Sequence, residues 1–161
     1  MSKVAIVRTK PETVLQDVQK VMQLAGINDA LEAGRTTIVK NNLSWHLMYP
    51  SANTTPWQLE GTILGLRGAG FEDLVCVENE TVVTRARVGE MLNKQRPVCE
   101  HYRVAIKYNF EASDMKWQRY EPKASGPSSS VSSRCWATLN CWLRPSLRWW
   151  CSRWCSFRPV P

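Results

Sequence analysis

No apolar run in this sequence approaches the ~20 residues needed to cross a bilayer, so a transmembrane helix is excluded as its organising feature. Glycine-rich phosphate loops are missing too. Neither the Walker A pattern nor the dinucleotide fingerprint occurs, which removes the two commonest nucleotide-binding signatures. The amino terminus has no secretory signal, because Lys3 and Arg8 bracket only a short apolar stretch. A cytoplasmic location with reduced thiols is the expectation that follows.

The most informative absence is local. Residues 124–161 contain no Asp, no Glu and no Lys, yet they hold five Arg, five of eight Trp, four of six Cys and nine Ser. Residues 1–123 hold all 14 acidic residues and 16 of 21 basic ones, a net charge of +2 out of the chain's +7. Globular sequence is about a quarter charged, with both signs present. The first segment fits that description and the second does not. We therefore expect an α/β domain over 1–123 and an aberrant tail without a packed core over 124–161.

In the tail, Cys135, Cys141, Cys151 and Cys155 are separated by five, nine and three residues. Structural zinc sites and ferredoxin-type clusters use paired short spacings, so no metal is expected there. An Arg- and Trp-rich segment suits nucleic acid or an anionic membrane surface. Out-of-frame translation accounts for more, because acids and lysine vanish at the point where Cys and Trp rise. A disordered appendage exposing aromatic surface and thiols is the expectation, and nucleic-acid binding is the weaker alternative.

In the first segment strand and helix signals alternate. Lys3–Arg8 reads as a strand. Thr9 and Glu12 are spaced as a capping box with Pro11 in the first turn, ahead of the apolar face Leu15, Val18, Val21, Met22 and Ala25. Gly26 ends that helix, and a turn of helix is expected over Asp29–Ala33. Thr37–Lys40 and Leu74–Glu78 are short β-branched runs of the kind buried on both faces of a sheet. Between them Thr55 is placed as N-cap, Pro56 at the first helical position and Gln58 to complete a capping box. Gly70 followed by Phe71 signals the stop of this helix, expected over Pro56–Ala69. Gly61, Gly65 and Gly68 share one row, which calls for close backbone approach to a neighbour.

Further on, Arg85–Gln95 reads as a polar helix with Val88, Met91 and Leu92 inward, and Pro97–Tyr102 as a short turn. Alternation at Val104, Ile106 and Tyr108 favours a strand, and Trp117–Tyr120 suggests a last one. Alternating elements of this kind argue for an α/β fold. The expected form has three layers, a small mostly parallel sheet carrying helices on its faces.

Asn41–Thr55 is fifteen residues long, where strand-to-helix loops are usually two to six. It leaves the carboxyl end of a strand, where open α/β sheets bind ligands. Lys40, Asn41, Asn42, Thr54 and Thr55, with Glu78 and Asn79 on the next strand exit, are the candidate ligand-binding residues. Lys40 and the first amides of the following helix suit an anion. The alternative is that Trp45 and Tyr49 cover the sheet edge, the asparagines make turns, and Lys40–Glu78 is a surface salt bridge. No residue is assigned a catalytic role.

The ordered set Lys3-Val-Ala-Ile-Val, Thr37-Ile-Val-Lys-Asn-Asn-Leu, Thr54-Thr-Pro56, Gly68-Ala-Gly70 and Val77-Glu-Asn79 resembles the amino-terminal part of the prokaryotic domain of unknown function 362 family. Lys107-Tyr-Asn-Phe and Asp114-Met-Lys-Trp-Gln-Arg-Tyr-Glu-Pro-Lys123 are similar to one branch of it. Members commonly show lysine-proline-asparagine where this chain has Lys40-Asn41-Asn42. The resemblance covers 3–123 and implies an incomplete domain, with no established activity even for intact members; the leading expectation is a fragment inactive alone, whose intact parent binds an anionic small molecule at the sheet edge. It also implies an association with iron–sulfur electron transfer, since some members carry clusters in separate cysteine-rich segments. No cofactor is expected in this chain itself.

Overall fold

The structure, a computed structural model, describes residues 4–114. Elements follow in the order α1 (Val14–Ala25), α2 (Ile27–Ala30), β1 (Thr37–Lys40), α3 (Pro56–Gly68), β2 (Leu74–Glu78), α4 (Ala86–Leu92), α5 (Gln95–His101) and β3 (Ala105–Tyr108). The strands form an open parallel sheet in the order β1-β2-β3. Parallel neighbours need a crossover; α3 supplies the first, α4 and α5 the second. This is the α/β fold that the alternating signals predict.

Register places Val39, Cys76 and Ile106 side by side. On that side Val39, Leu74 and Cys76 pack with Leu59, Ile63 and Leu66 of α3 and with Cys99 of α5. Ile63 and Leu66 have no exposed surface. Burying such a side chain fully contributes about 1.5–3 kcal/mol, so these residues anchor the domain. Helix α1 lies across α3 through Val18 and Met22. The glycines explain how closely. A Cβ at Gly61 would sit 2.8 Å from Val18 Cβ, and one at Gly65 would sit 2.8 Å from Met22 Sδ. At Gly68 a Cβ would meet nothing within 4 Å, so that glycine has no packing reason.

Helix α3 stops as its sequence predicts. Phe71 N–H donates to the Leu66 carbonyl at 3.0 Å and Gly70 N–H to the Arg67 carbonyl at 2.9 Å. Gly70 takes φ +90°, and Phe71 is buried; together these form a Schellman stop. The start of α3 differs from expectation. Thr55 is the N-cap residue, but no side chain caps the helix. The adjacent Thr54 holds the loop end instead, its hydroxyl accepting from Asn42 N–H at 2.8 Å.

Four other expectations are corrected. Residues 4–10 have no regular secondary structure, and Val4 and Ile6 are exposed. An apolar β-branched run becomes a strand only with a ladder partner, and none pairs with it among the described residues. Helix α1 starts at Val14, with Thr13 as N-cap. The Asp17 carboxylate accepts from the Thr13 hydroxyl at 2.7 Å, so the Thr9–Glu12 box is not used. The extra helical turn is Ile27–Ala30, earlier than expected. In α4 the inward residues are Ala86, Gly89 and Glu90, while Val88, Met91 and Leu92 are exposed. Leu43 of the long loop decides this, because it lies where a Cβ on residue 89 would be. Trp117–Tyr120 and the whole of 124–161, including Cys135, Cys141, Cys151 and Cys155, lie outside the described residues. No described helix is long and apolar enough to cross a membrane.

Candidate functional site at the carboxyl edge of the sheet

Strands β1 and β2 run parallel, so Lys40 and Glu78 leave the sheet on one edge. Lys40 Nζ lies 3.3 Å from Glu78 Oε2 and also donates to the Asn41 carbonyl. The Glu78 side chain is only 2 % exposed, against 21 % for Lys40. The pair is therefore not a surface salt bridge. Burial pushes the Glu78 carboxyl up to about 6, against the Lys40 charge and the Asn79 backbone N–H, which both favour the carboxylate. Its other oxygen, Oε1, has no hydrogen-bond partner. A buried acceptor left open in this way costs free energy.

Strand exit and helix start are tied together. Asn42 N–H donates to Thr54 Oγ1, and Thr54 N–H returns a bond of 2.8 Å to the Asn42 carbonyl. The Asn42 side chain donates to Ser44 Oγ and the Ala52 carbonyl. Thr55 then opens α3 with its first-turn amides uncapped. All seven candidate residues thus lie along one edge: Lys40 and Glu78 in contact, Asn41 and Asn79 bonded to them through backbone groups, Asn42 and Thr54 as a clamp, and Thr55 at the helix entry.

The long loop is a built structure. Asn53 Oδ1 accepts from the Ser44 and Trp45 amides, and its Nδ2 donates to the Trp45 and Leu47 carbonyls and to Asn93 Oδ1. Asn93 donates in turn to the Leu47 and Gly89 carbonyls. Thr84 Oγ1 reaches the Ser44 carbonyl at 3.0 Å, and Gln95 Nε2 the Thr54 carbonyl at 2.9 Å. Buried backbone groups of a loop must be satisfied, and four buried polar side chains do it here. Trp45 and Tyr49 in this loop are both about half exposed.

Beside Glu78 lies a second buried carboxylate. Glu90 Oε1 accepts from the Arg96 guanidinium and from Tyr108 OH, the latter at 2.7 Å, and Arg96 also donates to Tyr108 OH at 2.8 Å. Burial and the bond to Glu90 push Tyr108 up to about 12. Tyr108 is the register partner of Glu78, and the Glu90 charge adds to the rise at Glu78. Glu90 Oε2 and Gln95 Oε1 are, like Glu78 Oε1, buried acceptors without a partner.

Residues Asn53, Thr84, Glu90, Asn93 and Gln95 escape a reading by hydrophobic pattern, which assigns the inward face of α4 to its apolar residues. The available signal was a polar set, Glu90, Asn93 and Gln95, that follows a mid-helix glycine. Among the described residues no group of three or more His, Cys, Asp and Glu is placed to hold a metal ion. Comparison with protein-family models, with curated proteins and with solved structures finds no match to this chain.

Proposed function

We propose that this chain is a small-molecule binding domain that takes an anionic ligand at the carboxyl edge of its sheet, between Lys40 and the uncapped amino end of α3. The supporting observation is the Asn42–Thr54 clamp, which holds the exit of β1 against the entry of α3. A helix amino terminus carries about half a positive charge and unpaired N–H groups. Lys40 has a third N–H beyond those given to Glu78 and Asn41. Glu78 is then the internal competitor of the ligand for Lys40, and its protonation near pH 6 releases the ammonium.

The resemblance to the domain of unknown function 362 family is consistent with this reading. An accessory role in iron–sulfur electron transfer rests on that resemblance alone. Binding of nucleic acid or an anionic membrane rests on residues 124–161.

Calorimetric titration with inorganic phosphate and with a small dicarboxylate tests the proposal. Saturable binding is expected, several-fold tighter at pH 5.5 than at 7.5, and weakened about tenfold by Lys40→Met, the loss expected for one charged hydrogen bond. Equal affinity in wild type and Lys40→Met overturns it.

A further inference from the structure

The core beneath Glu78 holds two thiols whose packing role leaves their chemistry unused. Cys76 stands in the middle of β2 on the side that faces α5, and Cys99 stands on the inner face of α5. Their sulfurs are 3.6 Å apart, each residue is 1 % exposed, and both are free. Two valines or alanines would fill such a space without polar atoms. The sulfurs instead point at each other across a strand–helix contact, 23 residues apart in sequence.

We infer that Cys76 and Cys99 form a redox-active dithiol, which closes to a reversible disulfide between β2 and α5 when oxidised by hydrogen peroxide. A disulfide needs its sulfurs at about 2.05 Å. The remaining approach is about 1.5 Å, within reach of a side-chain rotation plus a slight shift of a short helix.

The pair is also chemically unequal. The side-chain hydrogen bond with Cys76 lowers the pKa of Cys99, although burial and the charges of Glu90 and Glu78 oppose this; Arg96 adds to the lowering. The same bond, with burial, holds Cys76 well above its ordinary value. The thiolate is the nucleophile, so Cys99 reacts first. Its sulfur attacks one peroxide oxygen, the O–O bond breaks, and hydroxide leaves to be protonated to water. Cys99 is then a sulfenic acid. The Cys76 sulfur attacks that sulfur, the S–S bond forms, the S–O bond breaks, and the hydroxyl leaves with the Cys76 proton as a second water. Two thiols are oxidised and one peroxide is reduced to two waters. Peroxide is close to water in size, so its entry requires only a local opening of the core.

Closure reaches the carboxyl edge. Cys76 and Glu78 share one face of β2, and Cys99 lies one turn beyond Arg96, the partner of Glu90, on α5. The bond would tie the strand bearing Glu78 to the helix whose Arg96 pairs with Glu90 of α4.

The test uses the full chain with Cys135, Cys141, Cys151 and Cys155 changed to Ser, so that only Cys76 and Cys99 remain. Protein is exposed to hydrogen peroxide, quenched with catalase, then unfolded in a thiol-alkylating reagent and weighed intact. Reduced protein should carry two alkyl groups; oxidised protein should carry none, weigh two hydrogens less, and regain both sites after dithiothreitol. Circular dichroism before and after should coincide, which separates bridging in the fold from bridging after unfolding. Cys76→Ser removes the resolving thiol, so Cys99 oxidised in that variant should stay as dimedone-trappable sulfenic acid and form no intramolecular bridge. Retention of both alkylation sites, overoxidation without a bridge, or bridging only in denaturant overturns the inference.

Discussion

Lys40 Nζ and Glu78 Oε2 meet at 3.3 Å across adjacent parallel strands, with the carboxylate almost wholly buried. The pair is asymmetric: the ammonium reaches solvent, whereas the carboxylate has one paired and one open oxygen.

This asymmetry sets a pH dependence of stability. The Glu78 carboxyl is raised from 4.5 to about 6 in the fold, so the folded state binds its proton more tightly than the unfolded chain. Its contribution is fully present below pH ~4.5 and is lost as pH rises through ~6. The difference amounts to about 2 kcal/mol at neutral pH. Urea unfolding at pH 4.5 and 7.5 should show Glu78→Gln gaining about that much on wild type between the two, since the amide mimics the protonated acid. An equal offset at both values would refute the buried-carboxylate account.

Asn53 holds five polar groups in place from a buried position. Asn53→Ala leaves several of them buried without partners and should cost about 3 kcal/mol or more. Hydrogen exchange at the Ser44 and Trp45 amides should accelerate beyond the global change. If only global stability falls, the loop is held by other contacts.

Two glycines of α3 should respond differently to alanine. Gly61→Ala brings a methyl against the branched Cβ of Val18 and should destabilise by about 1–3 kcal/mol. Gly68→Ala enters open space and should stabilise by up to about 1 kcal/mol. Thermal unfolding of the two variants should therefore move in opposite directions.

Removing residues 124–161 takes away five of the chain's +7 charges. Any salt-sensitive adhesion to nucleic acid or anionic vesicles should fall with it, because such binding scales with neutralised charges. Phosphate binding at the sheet edge should persist. Loss of phosphate binding on deletion would place that site in the tail.

The sequence by itself determined β1, α3 and β2. Each carries its signal locally: β-branched runs at Thr37–Lys40 and Leu74–Glu78, Pro56 at a helix start, and Gly70 with Phe71 at its stop. These depend on backbone conformations a few residues wide, so neighbours suffice to specify them. It also placed Lys40 and Glu78 on one edge, because parallel order follows from the length of the crossover. What only the tertiary structure decided involves partners far apart in the chain. Lys3–Arg8 has strand composition but no ladder partner among the described residues. The inward face of α4 went to Gly89 and Glu90 because Leu43, Arg96 and Tyr108 occupy the space they turn toward. Asn53 meets Asn93 across 40 residues, and Cys76 meets Cys99 across 23. Burial of a polar group is favourable only where another element supplies its partner, and periodicity along one element carries no information about that partner.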